Sequence, residues 1–289
     1  MTTLAILADI HGNLPALEAV LEDLAQFQVD HVIVAGDVIN WGPFSAQVMK
    51  RVSGEGWAVI RGNNEFYLLD YGTPRAPAAW SDARQWPLLP WLKQQLQGHW
   101  ETVIGAWPDS LSLRFPDAPP IRVLHGSARS AWESIYPQVT EAEAETLLAG
   151  VEETTVIAGH SHLSMDRHVG RWHILNPGTV GVPLDGTAYG SYMLLKGTEA
   201  GWQASLRRVR LDQTLVLREF ERQRFTEECG VMGQLVAEEF QTSRLQVHPF
   251  LHWRHAHCPD APVSAELLQV FRTVDREEYR PSAYRLASC

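Results

Sequence analysis

Short apolar segments rich in β-branched residues recur along the first part of the chain, and each ends abruptly in a polar residue beside glycine, asparagine or histidine. Continuous apolar runs of this length are typical of strands that are buried on both faces of a sheet. The pattern therefore predicts five strands, over residues 4–9, 32–37, 58–63, 121–125 and 155–160.

The stretch between the first two predicted strands repeats its apolar residues at helical spacing. This pattern predicts a helix over residues 14–27, and Pro15 falls in its first turn, where proline is well tolerated. A strand, a helix and a second strand make a βαβ unit, and ligands of such sheets collect beyond the carboxyl ends of the strands. The polar residues that end the five segments fall at those ends.

Residues 66–120 have a different pattern, in which tryptophans and prolines surround a helical stretch near residues 88–96. We predict a helical insertion here, and the pattern fits a lid over a functional site as well as a cluster packed on the outside. Strand patterns return at residues 171–175, 190–195 and 202–209, and we assign these three strands to a second sheet.

From Leu211 onward the apolar spacing is helical. We therefore divide the chain into a main domain over residues 1–211 and a helical C-terminal extension over 212–289, which has the length of a small domain. We predict ordinary helix packing with exposed imidazoles for the histidine-rich part of this extension, with a further zinc site or a flap over the main site as alternatives. That part contains His248, His252, His255, His257 and Cys258.

The composition narrows the range of partners. Lys plus Arg is 24 and Asp plus Glu is 34, which gives a formal net charge of −10. This balance disfavours long nucleic acids, which require clustered cations, but it permits a small phosphorylated substrate such as a nucleotide because bound metal ions reverse the local charge.

The distribution of cysteines and apolar residues indicates a compartment. Cys229, Cys258 and Cys289 have no CxxC spacing, as expected in a reducing environment. The N-terminus has no signal-like pattern and no apolar stretch is long enough to span a bilayer. We therefore expect a cytoplasmic protein without a membrane partner, and the pattern leaves homo-oligomer formation open.

Seven side chains near the predicted strand ends are oxygen or imidazole donors, and none of them is a thiol. Such donors suit Mn²⁺, Fe²⁺, Zn²⁺ or Ni²⁺ better than a soft copper ion. Seven donors exceed the needs of one tetrahedral ion and suit two ions that share a carboxylate. The donors are Asp9, His11, Asp37, Asn63, His125, His160 and His162.

The order of these residues resembles the motifs of the calcineurin-like metallophosphoesterase superfamily, and in particular its small bacterial and archaeal phosphodiesterase branch. The resemblance covers roughly residues 4–210, a normal single-domain size. The matching motifs are Asp9-Ile10-His11, Gly36-Asp37, Gly62-Asn63-Asn64-Glu65, His125-Gly126, Gly159-His160-Ser161-His162 and Asn176-Pro177-Gly178-Thr179.

The resemblance implies an α/β fold, a four-layer αββα sandwich in which two mixed sheets pack together with helices outside. It also implies hydrolysis of phosphodiesters or phosphomonoesters by a hydroxide that bridges two divalent transition-metal ions, with Mn²⁺ expected first and Fe, Zn or Ni as alternatives. Asp37 would bridge the two ions and position the hydroxide. Asp9, His11 and His162 would complete the first ion site, and Asn63, His125 and His160 the second.

The residue after the metal-binding asparagine departs from the commonest family pattern. Many members have histidine there, whereas this chain has Asn64. We expect Asn64 to contact the phosphate through its amide, which cannot supply a proton. General acid assistance typically adds ~10²–10⁴-fold to a rate, so its loss should matter most for poor leaving groups.

Two other functions follow from the same resemblance. One is a serine/threonine phosphoprotein phosphatase, which an open and shallow site would favour. The other is a non-catalytic scaffold, because the superfamily contains a retromer subunit that works mainly through protein contacts. A scaffold has no need for all seven donors, so we rank this function below the enzymatic ones.

Overall fold

The computed structural model describes residues 1–285, within which ten strands form two sheets of five. Cys289 lies outside these residues. In chain order the strands are β1 Thr3–Leu7, β2 His31–Val34, β3 Ala58–Val59, β4 Leu111–Phe115, β5 Ala118–Val123, β6 Thr155–Ile157, β7 Met165–Val169, β8 Trp172–Asn176, β9 Tyr189–Thr198 and β10 Gly201–Arg210.

The helices of the main domain come first along the chain, and those of the extension follow. Short 3-10 helices occur at Ala78–Ser81, Arg276–Tyr279 and Ser282–Tyr284. The α-helices are α1 Leu14–Leu24, α2 Ser45–Ser53, α3 Asn63–Asp70, α4 Leu88–Gln95, α5 Trp100–Gly105, α6 Glu141–Leu147, α7 Gln213–Arg222, α8 Phe225–Glu228, α9 Gly230–Thr242, α10 Val247–His257 and α11 Ala265–Phe271.

The first sheet has the strand order β10-β9-β1-β2-β3, and the second has the order β4-β5-β6-β8-β7. Strands β1, β2 and β3 are parallel to one another, as are β5, β6 and β8. Strands β9 and β10 of the first sheet and β4 and β7 of the second run antiparallel to their neighbours. Both sheets are therefore mixed, and their parallel strands carry their carboxyl ends to a common edge.

Strand β1 shows why the two sheets form four layers. Its side chains alternate between faces, so Leu4 and Ile6 contact the second sheet whereas Ala5 and Leu7 contact helices. Helices α1 and α2 cover the outer face of the first sheet, and α6 covers that of the second. The predicted αββα sandwich is confirmed.

The five predicted strands exist, but each stops before the polar residues that were predicted to end it. In three of the segments the reason is the backbone of the final polar residue: Asp9 and Asp37 both have a φ of 54°, and His160 has a φ of 66°. A positive φ is incompatible with a β-strand, so these residues lie in loops beyond the strand ends. In the 58–63 segment, helix α3 begins at Asn63.

The assignment of the three later strands to a second sheet is correct for β8 and wrong for β9 and β10. Strand β9 pairs antiparallel with β1, and β10 extends the first sheet as a hairpin with β9. Strand β1 is thereby paired on both sides, and β10 becomes the outer strand of the first sheet. The predicted helical insertion over 66–120 also contains strand β4 and the start of β5.

The C-terminal extension packs against the insertion and the loop after β8. Phe225, Phe240 and Phe250 are fully buried in one cluster that also contains Leu88 and Trp91 of the insertion. Val182 and Leu184, from the loop after β8, belong to the same cluster.

Among the helices within residues 1–285, none is long and apolar enough to cross a membrane.

Candidate metal centre

The structure brings all seven predicted donors to the carboxyl edge of the parallel strands. Asp9 and His11 follow β1, and Asp37 follows β2. The remaining donors lie in the loops after β5 and β6 or, for Asn63, at the start of α3. The side chains of Asp9, His11, Asp37, Asn63, His125 and His162 are buried, and His160 is half-buried.

The first donor group consists of Asp9, His11 and His162, whose ligand atoms lie within 4.8 Å of one another. The Nε2 atoms of His11 and His162 are 3.0 Å apart. The Asp9 Oδ1 atom is 3.4 Å from His162 Nε2 and 3.9 Å from His11 Nε2. One carboxylate and two imidazoles thus converge on one point, as around a divalent cation.

The second donor group consists of Asp37, His125 and His160, again with ligand atoms within 4.8 Å. His125 Nε2 lies 3.0 Å from Asn63 Oδ1 and 3.2 Å from Asp37 Oδ2. The same Asp37 oxygen is 3.6 Å from His11 Nε2 of the first group. Asp37 therefore lies between the two groups, where a shared carboxylate is needed.

Five of the donors adopt positive φ angles, which non-glycine residues rarely do. Backbone hydrogen bonds hold this conformation: Asp9 N donates to Gly36 O, and His11 N donates to Asp37 O. Strained residues of this kind cluster at functional sites, where the surrounding structure enforces them. The φ angles are 54° for Asp9, 50° for His11, 54° for Asp37, 66° for His160 and 56° for His162.

Two of the imidazoles are oriented by backbone carbonyls behind them. His125 Nδ1 donates to Ala35 O at 2.7 Å, and His162 Nδ1 donates to Val182 O at 2.7 Å. A ring that donates from Nδ1 presents Nε2 to the centre as a ligand atom. Gly36 permits this packing, because a Cβ at that position would lie 2.6 Å from His125 Nδ1.

The electrostatics of the site also fit metal binding. Burial lowers the pKa of His11 to about 4 and the pKa values of His160 and His162 to about 3, so these rings are neutral at neutral pH. The neutral imidazole is the form that binds a metal. His125 differs, because the Asp37 carboxylate overcomes the effect of burial and raises its pKa to about 10. The protonated His125 ring places a positive charge beside Asp37, and a bound metal ion would take over this charge.

Glu65 is a supporting residue whose role was missed by the sequence analysis. Its buried carboxylate accepts hydrogen bonds from the backbone nitrogens of Gly62, Asp37 and Val38, at 2.6, 3.0 and 2.9 Å. It thereby fixes the loop that carries Asp37 to the first turn of α3. The available signal was a glutamate three residues after Gly62 at a helix start, which is a capping pattern.

The Asn176-Pro177-Gly178-Thr179 segment joins the loops of the two donor groups. Asn176 Nδ2 donates to Gly159 O at 2.8 Å, and Thr179 Oγ1 donates to Asp9 O at 2.8 Å. The segment therefore holds both the Asp9 loop and the His160 loop. The resemblance identified these residues, but their contacts are visible only in the structure.

Asn64 contacts Asp37 directly. Its backbone nitrogen donates to Asp37 Oδ1 at 2.8 Å, and its Nδ2 donates to Asp37 Oδ2 at 2.6 Å. Its Oδ1 accepts from Asn40 Nδ2 at 2.7 Å. The amide thus supports the central carboxylate, and a contact between Asn64 and a phosphate stays a prediction.

The extension reaches the centre through Tyr284, which the sequence analysis did not identify. The Tyr284 hydroxyl donates to the carbonyl of Ser161 at 2.7 Å, between His160 and His162 in the chain. Its ring also contacts Tyr136 edge-on, with 5.9 Å between centroids. No sequence motif marks this tyrosine, because its role depends on a long-range contact.

The histidine-rich part of the extension forms α10 and packs against the 3-10 helix Arg276–Tyr279. His257 Nε2 lies 2.8 Å from the Tyr279 hydroxyl, and His252 Nδ1 lies 3.3 Å from the Tyr279 carbonyl. Of the His, Cys, Asp and Glu residues in the described part of the chain, those grouped at metal-binding distances are the two sets at the centre. The predicted helix packing accounts for this segment.

The chain is similar in sequence to known proteins. Residues 2–200 match the family model described as the calcineurin-like phosphoesterase superfamily domain. An uncharacterised protein of Methanocaldococcus jannaschii is 22% identical over 224 residues, which cover 66% of this chain and 81% of that protein. The phosphodiesterase YfcE of Escherichia coli is 48% identical over 46 residues, only 16% of this chain and 25% of YfcE.

Solved structures share the fold. A metallophosphoesterase of Sphaerobacter thermophilus superposes with a TM-score of 0.65 at 22% identity, covering 84% of this chain and 99% of that one. A hypothetical protein of Pyrococcus horikoshii gives a TM-score of 0.70 at 17% identity, covering 85% and 100% of the respective chains. Similarity at these identities establishes a common architecture, while function depends on the side chains of the site.

Proposed function

Because the chain belongs to the calcineurin-like phosphoesterase superfamily, we propose that this phosphoesterase uses two divalent metal ions held by its seven donors to hydrolyse a small phosphate ester. The observation that carries this proposal is the position of Asp37, whose Oδ2 lies 3.2 Å from His125 Nε2 and 3.6 Å from His11 Nε2. A pair of ions supplies an activated water nucleophile and neutralises charge on the phosphate oxygens.

The residues of the chain divide the remaining tasks. Asp37 is the carboxylate shared by both ion sites, and Asn64 donates hydrogen bonds to both of its oxygens. Glu65 accepts a hydrogen bond from Asp37 N and so fixes the loop that carries Asp37. The neutral rings of His11 and His162 offer lone pairs to the first site. Since the Asn64 amide cannot release a proton, departure of the leaving group depends on its own acidity.

The substrate we propose is a small phosphomonoester or phosphodiester. The extension covers part of the rim, where Tyr284 bonds to the Ser161 carbonyl beside two donors. A covered rim favours a small ester over a phosphorylated protein surface. The acidic balance of the chain, with a net charge of −10, disfavours long nucleic acids as substrates.

The donor types indicate the metal, and the cysteines indicate the compartment. We propose Mn²⁺ as the first choice because carboxylate, amide and imidazole donors suit it, with Fe, Zn or Ni as alternatives. We further propose a cytoplasmic location. Cys229 and Cys258 are free thiols, as expected in a reducing compartment.

The experiment is a metal-exchange assay of the purified chain against aryl and nucleotide mono- and diesters. We expect hydrolysis that disappears on chelation and returns with Mn²⁺, and Asp37→Asn serves as the inactive control. Hydrolysis that persists without metal contradicts the proposal. Tight metal binding without hydrolysis of any ester would instead favour a non-catalytic scaffold.

A further inference from the structure

A group of aromatic side chains stands beside the second donor group. Tyr67 comes from α3, Trp80 from the 3-10 helix of the insertion, and Trp132 from the loop after β5. The ring centroids of Tyr67 lie 4.9 Å from those of both Trp80 and Trp132, and Trp132 meets Tyr67 edge-on at 87°. We call these three residues the aromatic shelf.

The aromatic shelf adjoins the metal centre. Tyr67 follows the donor Asn63 by one helical turn of α3, so the two side chains lie on the same face of that helix. Trp132 lines the same groove as His125, a donor of the second group. The shelf is therefore contiguous with the ligands of the second group.

Exposure differs sharply within the shelf. Trp80 is 7% exposed, as expected of a packed aromatic residue, whereas Trp132 is 44% exposed. Its indole is thus braced on one side by Tyr67 and Trp80 and open to solvent on the other. Packing within the insertion accounts for the buried ring of Trp80. It does not account for the solvent-exposed face of Trp132.

A groove of about 390 Å³ adjoins the indole and is lined by Phe66, His125, Arg129 and Trp132, among other residues. This volume is within the range of small-ligand sites. The Arg129 guanidinium pairs with Glu133, so the groove wall does not present an uncompensated cation for a second phosphate. The two carboxylates of the wall, Asp70 and Asp109, also have arginine partners. A flat and uncharged group fits this wall better than a polyanion.

We propose that the open face of Trp132 stacks on the nucleobase of a nucleoside phosphate whose phosphate group lies at the metal ligands. Every nucleobase has a π-face that stacks on indole, so this contact selects for a base without selecting its identity. Trp132 is then a specificity-determining residue. This inference rests on the proposed function and names its substrate class.

The test compares binding of adenosine 5′-monophosphate and ribose 5-phosphate, which share a phosphate and a ribose and differ in the base. Calorimetry with the Mn²⁺-loaded chain should show tighter binding of the nucleotide. Trp132→Ala should weaken nucleotide binding by about 5- to 150-fold, the range that base stacking supports, and should leave ribose 5-phosphate unchanged.

Two further variants at the same position separate stacking from packing. Trp132→Phe keeps an aromatic face and should retain much of the preference for the nucleotide. Trp132→Leu fills space without an aromatic face and should lose that preference while it remains folded. Trp57→Ala is the matched control, because Trp57 precedes β3 at the opposite end of the sheet from the donors.

Equal binding of the two ligands by the unaltered chain would overturn the stacking inference and leave the phosphoesterase proposal intact. An unchanged nucleotide preference in both Trp132→Ala and Trp132→Leu would overturn it as well. Failure of either ligand to bind the metal-loaded chain, together with absence of ester hydrolysis, would overturn both proposals.

Discussion

The metal-ligand loops and the C-terminal extension meet at one rim but depend on the sequence in different ways. In the loops, residues such as Asp9 and His160 combine a strained positive φ with a specific donor atom, so few substitutions are tolerated. In the extension, buried residues such as Phe240 and Phe250 contribute apolar volume, which other residues of similar size can supply. The metal-ligand loops are therefore recognisable by a motif of specific residues, whereas the extension is recognisable only by the spacing of its apolar residues.

Val182 and Tyr284 join the two regions beside His162. The Val182 carbonyl orients His162, while the Val182 side chain is buried in the cluster of the extension. The Tyr284 hydroxyl donates to the carbonyl of Ser161, the residue before His162. The extension thus supports the position of His162 through Val182 and through Ser161, without supplying a ligand.

The largest expected effect is at the shared carboxylate. Asp37→Asn should reduce hydrolysis by more than the roughly 10–100-fold that loss of a residue behind metal ligands typically causes, because both ion sites lose a donor. Steady-state kinetics at saturating Mn²⁺ measures this loss. Asp166→Asn, at a 53% exposed carboxylate paired with His173, is the control. A rate near that of the unaltered chain would contradict the shared role of Asp37.

The next effect concerns the proton that Asn64 cannot supply. Rates on a series of aryl phosphates should rise steeply as the leaving group becomes more acidic, provided that chemistry limits the rate. Asn64→His should raise the rate on alkyl esters selectively, by up to ~10²-fold if the ring replaces the amide beside Asp37. A flat dependence on leaving-group acidity would show that another residue donates the proton.

A smaller effect is expected inside the extension, at Glu239. Burial raises the pKa of this carboxyl to about 8, although Gln246 N and Val247 N donate to it at 2.6 and 2.8 Å. The folded state then binds a proton that the unfolded state releases near its ordinary pKa of 4.5. The free energy of unfolding should therefore fall as the pH rises from about 4.5 to about 8.

Glu239→Gln should remove this fall, because the amide oxygen keeps both backbone bonds and does not ionise. Urea unfolding at about pH 5 and about pH 9 should show the variant gaining on the order of 1–3 kcal/mol relative to the unaltered chain at the higher pH. Glu238→Gln, where the carboxylate pairs with Arg272, is the matched control. Parallel pH profiles of the unaltered chain and Glu239→Gln would refute the assignment.

The smallest effect tests whether the extension restricts access to the centre. Tyr284→Phe removes one hydrogen bond to Ser161 O, which should lower stability by about 0.5–1.5 kcal/mol and reduce discrimination between small and large esters. Tyr279→Phe, whose hydroxyl meets His257 away from the centre, is the control. If the ratio of kcat/KM values for the two esters does not change, Tyr284 serves packing alone.

The loop side of this comparison was largely predictable. Metal chemistry restricts the residue types that can act as donors. Asp9, His11 and Asp37 each follow an apolar run, and this placement predicted that they lie close together. The ends of the strands were not predictable, because the positive φ angles of these residues depend on contacts such as Asp9 N to Gly36 O. That the donors bind metal stays a prediction.

Contacts between residues far apart in the chain could not be predicted from the sequence. The patterns of β9 and β10 predict strands, but the pairing of β9 with β1 joins residues far apart in the chain, for which local spacing carries no signal. The helices of the extension were predicted for the same local reasons. Their contacts with Val182 and Leu184 were not, since any apolar surface satisfies the same pattern.

The central claim is that Asp37 joins two metal sites, and anomalous diffraction from crystals saturated with Mn²⁺ tests it most directly. The account predicts two peaks per chain, one beside Asp9, His11 and His162 and the other beside Asn63, His125 and His160, with the Asp37 carboxylate touching both. A single peak at saturating metal, or two peaks of which Asp37 contacts only one, would contradict it.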